Sequence, residues 1–400
     1  MSFIQYLEES AANEDKGTHL EHAEDHVINA GPDGFHHAFH TLNDTHDSIQ
    51  GAASSSTKTA IKYDGSPSII FGRHPKTGKF FVASKSAFNK EPKINYSHED
   101  IEKNHGHAPG LVEKLKAAYD HLHKVSPKKG VFQGDIMYTK EHKWNGSTHN
   151  DVKEHGDSYH FTPNTLTYSI GRDTKEGKKV GKARIGVAVH TAYHGGDSLE
   201  SMKAHYGFNA HEEGSGFKHH PDVHLLPTHV EHPASAPKSN FHKHMNAALD
   251  EFHKTTQETH DAITNHRVGL KTYINSTVRT GTKPTAKGYH AWLTNKHQKE
   301  VDKLKTPAGK AKRQQAMDAD LAHVKANKHH FQHILNIHEH LQNAKNELVK
   351  TLSNSDHHGY KHSIHGRPSK PEGFVAIRNN RPTKLVDRAD FSRANFARND

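Results

Sequence analysis

The stretch TAIKYDGSPSIIFG, residues 59–72, decides how this chain folds. From Lys58 the stretch reads as strand sequence, and Lys62-Tyr63-Asp64-Gly65-Ser66 lies on a strand that ends at a turn. The segment KTGKFFVASKS, residues 76–86, then reads as a paired strand, reached through a turn of Pro75, Lys76, Thr77 and Gly78. Further along, the spacing of apolar residues predicts a helix over Leu111 to His123. Strands follow at VFQGDIMYT (131–139), YHFTPNTLTYSI (159–170) and RIGVAVHTAY (184–193). Strands and helices do not alternate as they would in a Rossmann sheet, so the class is α+β.

On the N-terminal side, residues 1–50 read as two or three short helices. Phe3, Ile4 and Leu7 form one apolar patch, Thr18 with Glu21 fits a capping box, and Gly31-Pro32-Asp33-Gly34 breaks the chain before Phe35, Phe39 and Leu42. Beyond PASAPKSN at 233–240 strand signals stop. Phe241, Met245, Leu249, Phe252 and Ile263 recur at helical spacing, as do Trp292, Val301 and Leu304, then Met317, Leu321, Val324, Phe331, Leu335, Leu341 and Leu348. Narrow stripes of this kind are the seam of a helical bundle. Strand-like sequence returns at GFVAIRNNRPTKLVD, residues 373–387. The expected organisation is therefore a helical segment at 1–50, a core at 51–235, a helical insertion at 236–355 and the rest of the core at 356–400.

Composition limits the classes of function. The 400 residues include no cysteine, which excludes disulfide-linked partners, thiolate metal sites and cysteine nucleophiles. With 32% hydrophobic residues, a mean hydropathy of −0.93 and no long apolar run, a membrane span is excluded. The opening MSFIQYLEES lacks the pattern of a secretory signal, so a cytoplasmic location is expected. Lysine and arginine total 54 against 45 acidic residues, and 43 histidines add charge as pH falls, so polyanions are plausible partners. At this density, His-x-x-x-His pairs arise by chance, and spacing alone identifies no metal site. His19, His22 and His26, with Glu21 and Asp25, could share a helical face, as metal ligands or as a solvated amphipathic surface.

Chemistry concentrates in five ordered segments: Lys62-Tyr63-Asp64-Gly65, Lys85 in VASKSAF, Asp135 after Gly134 in VFQGDIMY, Glu372 before Gly373 in PEGFVAI, and Lys384 in PTKLVD. In this order they resemble the covalent nucleotidyltransferase superfamily of ATP-dependent DNA ligases, RNA ligases and mRNA capping enzymes. The resemblance covers Lys58 to Tyr206 and Lys370 to Phe391, and implies an adenylation fold of antiparallel sheets. It further implies that Lys62 attacks the α-phosphate of ATP, that Lys384 and Lys85 lower its proton affinity and hold phosphate oxygens, and that Asp64 accepts from the ribose or organises Lys62. Gly65 would allow a tight turn under the nucleotide, Phe161 or Tyr168 would stack on adenine or serve the core, and Asp135 with Glu372 would form an oxygen-lined Mg²⁺ site.

Departures from the family pattern accompany the likeness. Asp135 replaces the usual glutamate, Val386 stands where a second lysine is usual, and Pro67 stands where DNA ligases often carry arginine, so K-x-D-G-S is closer to RNA ligases. After Lys384 too few residues follow for the OB-fold that DNA ligases and capping enzymes append. A clamp on nucleic acid would then fall to the helical insertion, whose Lys271, Arg279, Lys283, Lys287, Lys296, Lys312 and Arg313 form either a phosphate-tracking surface or a solvated face. THLEHAEDH and the whole arrangement also resemble uncharacterised proteins of large tailed bacteriophages, which implies a host-cell cytoplasmic setting. The expected activity is ATP-dependent joining of RNA or DNA ends through a lysyl-AMP. Transfer to a protein or small molecule, and a degenerate, His-rich nucleic-acid-binding protein, are the open alternatives.

Overall fold

The computed structural model describes residues 20–52, 57–144, 147–230 and 239–388. They fall into two compact units. The first spans Ser56–Ala234 and Leu352–Pro382; the second takes Glu21–Ser55, Ser235–Thr351 and the chain from Thr383.

Strands dominate the first unit. In chain order they are β1 (Thr57–Lys62), β2 (Ser68–Arg73), β3 (Phe80–Ala83), β4 (Val131–Trp144), β5 (Ser147–Asn150), β6 (Lys153–His155), β7 (Ser158–Phe161), β8 (Thr167–Gly171), β9 (Ile185–His194), β10 (Lys203–Tyr206), β11 (Val223–Leu225), β12 (Lys361–Ile364), β13 (Arg367–Ser369), β14 (Gly373–Arg378) and β15 (Arg381–Leu385). The largest sheet runs β10-β9-β4-β2-β3, with β11 parallel to β9 and β5 against β4. Because side chains alternate across a strand, its two faces differ. Ile69, Phe71, Val82, Phe132, Ile136 and Val187 point to one face and pack on Val112, Leu115, Ala118 and Leu122 of the helix Pro109–Leu122. Each such fully buried side chain stabilises the fold by about 1.5–3 kcal/mol. The other face carries a smaller cluster of Ile70, Phe81, Ala83, Val131 and Tyr193. Ser68 and Asp135 lie opposite each other in the β2–β4 register, one step along from this cluster.

A second sheet pairs β1 with β14 antiparallel, Lys62 opposite Gly373. The β14–β15 hairpin turns on Asn379 and Asn380, both left-handed with φ of 50° and 58°, the turn geometry asparagine tolerates best after glycine. Along β15 the chain passes into the second unit. The segment after β11 stitches the first two sheets: Leu226 N donates to Val187 O of β9, and Ile61 N of β1 donates to Thr228 O.

A third sheet has the order β13-β12-β8-β7-β6. Here YHFTPNTLTYSI differs from the single strand expected: it is two strands, β7 and β8, separated by Thr162–Leu166, because Pro163 and Asn164 favour a turn. The helix Lys175–Lys182, capped by Thr174, follows β8.

The second unit is almost wholly helical: His26–Ile49, Phe241–Phe252, Gln257–Ile263, Arg267–Thr280, Ala286–Lys303, Pro307–Ala326 and Lys328–Ser353. His26–Ile49 is two helical segments joined across a kink, at the break expected from Gly31-Pro32-Asp33-Gly34. Gly31 takes φ 57° and ψ −131°, and Pro32 restarts the helix beyond it. The earlier patch at Phe3, Ile4 and Leu7, together with Thr18 and His19, lies outside the described residues. Phe241, Met245, Ile263, Val301, Met317, Val324, Phe331, Leu335, Leu341 and Leu348 are buried as the stripes predict, while Leu304 is exposed just past the end of its helix. No helix among the described residues is long and apolar enough to cross a membrane.

Candidate functional site

The β1–β14 register brings two residues far apart in sequence into contact. Lys62 ends β1 and Glu372 immediately precedes β14, and the Lys62 ammonium donates to the Glu372 carboxylate. Both side chains are partly open to solvent, 24% for Lys62 and 10% for Glu372, so the pair is reachable and partly desolvated.

The turn after Lys62 is held from two sides. The Asp64 carboxylate is buried and accepts from Asn164 Nδ2 at 2.8 Å, Thr165 N at 2.7 Å and Leu166 N at 2.9 Å, all in the loop between β7 and β8. Its own backbone N–H donates to the Tyr168 hydroxyl at 2.7 Å. Asp64 is thus engaged by one side-chain and two backbone donors of the β7–β8 loop and ties the Lys62 turn to it; its oxygens do not face outward for a ribose. On the other side, a Cβ on Gly65 would stand 2.6 Å from Asp135 Cβ and 2.9 Å from Met137 Sδ, so only glycine fits between this turn and β4. Close approach, not a left-handed backbone, is what demands glycine here. Ser66 N donates to Ile136 O and Ile136 N to Pro67 O, both at 3.0 Å, which closes the turn onto β4.

Asp135 therefore sits directly beneath the turn. His190 of β9 approaches it, Nε2 to Oδ2 at 3.7 Å. Burial alone would raise the Asp135 carboxyl, but His190, Ser68 and Lys62 outweigh it and hold the group below the usual carboxylate range. Next along, Tyr193 donates to Gln133 at 2.6 Å and Gln133 donates to Ser68 at 3.1 Å. Gln133 was legible, since it precedes Asp135 by two and shares its face of the strand. His190 and the Asn164–Leu166 cradle carried no local signal; only pairing across strands places them here.

The remaining expected residues are placed as follows. Lys85 begins a 3₁₀ turn after β3, with Ser84 as its cap, and is exposed. Phe161 is 1% exposed, stacked on Tyr168 with centroids 5.5 Å apart, and tilted against Tyr138 at 5.0 Å. The stacking role expected for it has no open ring face to use; Phe161 is core. Tyr168 is equally buried. Lys384 is in the second unit, where its N–H donates to Glu21 O at 2.8 Å and its strand bridges His22.

In the helical unit the basic surface is largely committed. Lys271 pairs with Glu21 at 3.1 Å, Lys283 with Glu339 at 2.6 Å, Arg313 pairs with Glu300, and Lys296 lies over the Trp292 ring. The solvated amphipathic face expected around His22 is also corrected: Glu24 and Asp25 are buried, facing Lys345, Arg388 and His338. Their partners explain it: Lys345 and His338 come from the helix Lys328–Ser353, about three hundred residues later, and Arg388 from the chain beyond β15. Among the described residues no group of three or more His, Asp or Glu side chains is arranged to hold a metal ion.

No curated protein and no solved structure matches this chain. A family model does, over residues 14–399, and the chain belongs to the family that it describes, the family of unknown function DUF6267.

Proposed function

We propose that this protein is an ATP-dependent nucleotidyltransferase that forms a lysyl-AMP on Lys62 and joins polynucleotide ends, RNA in preference to DNA. The observation that carries the reading is the contact between the Lys62 amine and the Glu372 carboxylate, made across β1 and β14 above a turn locked by Asp64 and seated on Asp135. Three of the five ordered motifs support it: Lys62 with Asp64 and Gly65, Asp135, and Glu372 lie in one unit although they come from distant parts of the chain, while Lys384 lies in the other.

The chemistry follows from the contacts. The Lys62 ammonium must shed one proton to become a nucleophile, and Glu372 is the base already touching it. The amine nitrogen then bonds the α-phosphorus of ATP while the bond from that phosphorus to the bridging oxygen breaks. Pyrophosphate leaves with the electron pair, the second proton passes to it or to water, and a lysyl phosphoramidate remains. A polynucleotide 5′-phosphate next displaces Lys62 from the AMP, and a neighbouring 3′-hydroxyl expels AMP to close the strand. Asp135 and Glu372 provide the hard oxygen donors that suit Mg²⁺, which needs only one or two carboxylates beside phosphate and water oxygens. Such an ion would neutralise charge on the phosphates. The chain's own contribution is positioning, because the turn cannot shift without breaking the Asp64 cradle.

Incubation of the purified protein with ATP labelled at the α-phosphate and Mg²⁺ should leave acid-labile label on the denatured chain, and Lys62→Ala should abolish it. Failure of wild type to label, with GTP also tried and an intact mass excluding prior adenylation, would overturn the proposal.

A further inference from the structure

Among the described residues, one face of the third sheet carries cations and no acidic residue in register with them. Strand register places Lys153 of β6 opposite His160 of β7, His160 opposite Ser169 of β8, and Ser169 opposite Lys361 of β12. Directly paired residues project to the same side of a sheet, so these four form a row across four strands. At about 4.8 Å per strand, its two lysines stand roughly 14 Å apart. The alternate residues Tyr159, Phe161, Tyr168, Ile170 and His362 point the other way, and most of these are buried. Lys153 and Lys361 are exposed, and no Asp or Glu occupies a registered position on their side. Glu154, the acidic residue of β6, belongs to the opposite side and is paired with Arg172. His155, two residues along β6 from Lys153 and on the same side, lies beside His160 of the row, with ring centroids 5.2 Å apart.

We infer that this face is the docking surface for a single-stranded polynucleotide, whose phosphates are met by Lys153 and Lys361 and whose bases lie against His155 and His160. Lysines without carboxylate partners release counterions when a polyanion binds, and flat aromatic rings between them accept unpaired bases of any sequence. Within the helical unit, by contrast, Lys271, Lys283 and Arg313 are already neutralised by carboxylates. The sheet also connects to the chemistry: its β7–β8 loop clamps Asp64, and Tyr168, on the side away from the row, accepts from the Asp64 N–H. The inference rests on the ligase reading for the purpose of that docking, while the binding itself is measured without ATP.

The test is fluorescence anisotropy of a short labelled single-stranded RNA with the full-length protein at several salt concentrations. Lys153→Glu/Lys361→Glu is compared with Lys287→Glu/Lys312→Glu of the helical unit, each checked for an unchanged melting temperature. The sheet variant should lose at least tenfold in affinity and flatten the salt slope by about 1.4, two phosphate contacts at roughly 0.7 each; the helical variant should bind as wild type does. Affinity of the sheet variant within twofold of wild type, loss confined to the helical variant, or equal competition by inorganic polyphosphate would each overturn the inference. Self-labelling of wild type from ATP is scored separately. Lysine-dependent RNA binding without label would sink the ligase reading alone, and label with lysine-independent binding would sink this one alone.

Discussion

Lys62 and Lys345 are both lysines paired with glutamate, and their surroundings give them different roles. Lys62 is partly open to solvent. Lys345 is fully buried against Glu24 at 2.8 Å, with Arg388 beside the same carboxylate at 3.1 Å. Burial pulls the Lys345 amine down, while Lys345 and Arg388 together outweigh burial at Glu24 and hold its carboxyl at about 2. Removing one partner leaves a charge that water cannot reach. Lys345→Met, which keeps the volume, should therefore cost about 3–5 kcal/mol, and adding Glu24→Leu should restore most of it. Urea unfolding midpoints measure both; a cost below 1 kcal/mol for the single variant would show that Arg388 alone satisfies Glu24.

At the scale of elements, the site is a matter of strand pairing and one loop. β1 with β14 sets the Lys62–Glu372 contact, β2 with β4 sets Ser68 beside Asp135, and the β7–β8 loop sets Asp64. Sequence periodicity marks each strand but says nothing of which strand it joins, so the loop's role was hidden inside what reads as a single strand. Its contribution is measurable. Asn164→Ala deletes one of three hydrogen bonds to a buried carboxylate, and bonds to charged acceptors contribute about 1.5–3 kcal/mol. Adenylation of Lys62 should slow by roughly tenfold or more, with the two backbone donors still in place and the fold intact. An unchanged labelling rate would separate the cradle from the chemistry.

Across the whole molecule, histidines govern the response to acid. His224 of the first unit accepts from Tyr138 OH at Nδ1, 3.0 Å, and donates from Nε2 to Glu176 at 2.7 Å. Burial keeps it below the ordinary imidazole value, as it does His357 and His266, and pushes His362 down to about 4. Each of these groups binds a proton more readily in the unfolded chain than in the native one. Their stabilisation is complete above pH 6.5 and is lost as pH falls toward 4. Glu24, Glu176 and Glu251, held at about 2, lose theirs only below about 4.5. The melting temperature should be nearly level above pH 7 and fall from about pH 6.5 downward, before the carboxylates titrate. A melting temperature constant down to pH 5 would contradict this.

Much was determined by the sequence alone. The α+β class, the helical seam from Phe241 to Leu348 and the five ordered motifs are local patterns, and local patterns record which residues must be buried and which must turn. What only the tertiary structure decided is who meets whom. The pairing of Lys62 with Glu372, the closure of Phe161 into the core, the burial of Glu24 and Asp25, and the row from Lys153 to Lys361 depend on strand and helix partners tens to hundreds of residues away. The energy of those contacts is non-local: a hydrogen bond or an ion pair is realised only when the chain has closed the loop between its partners.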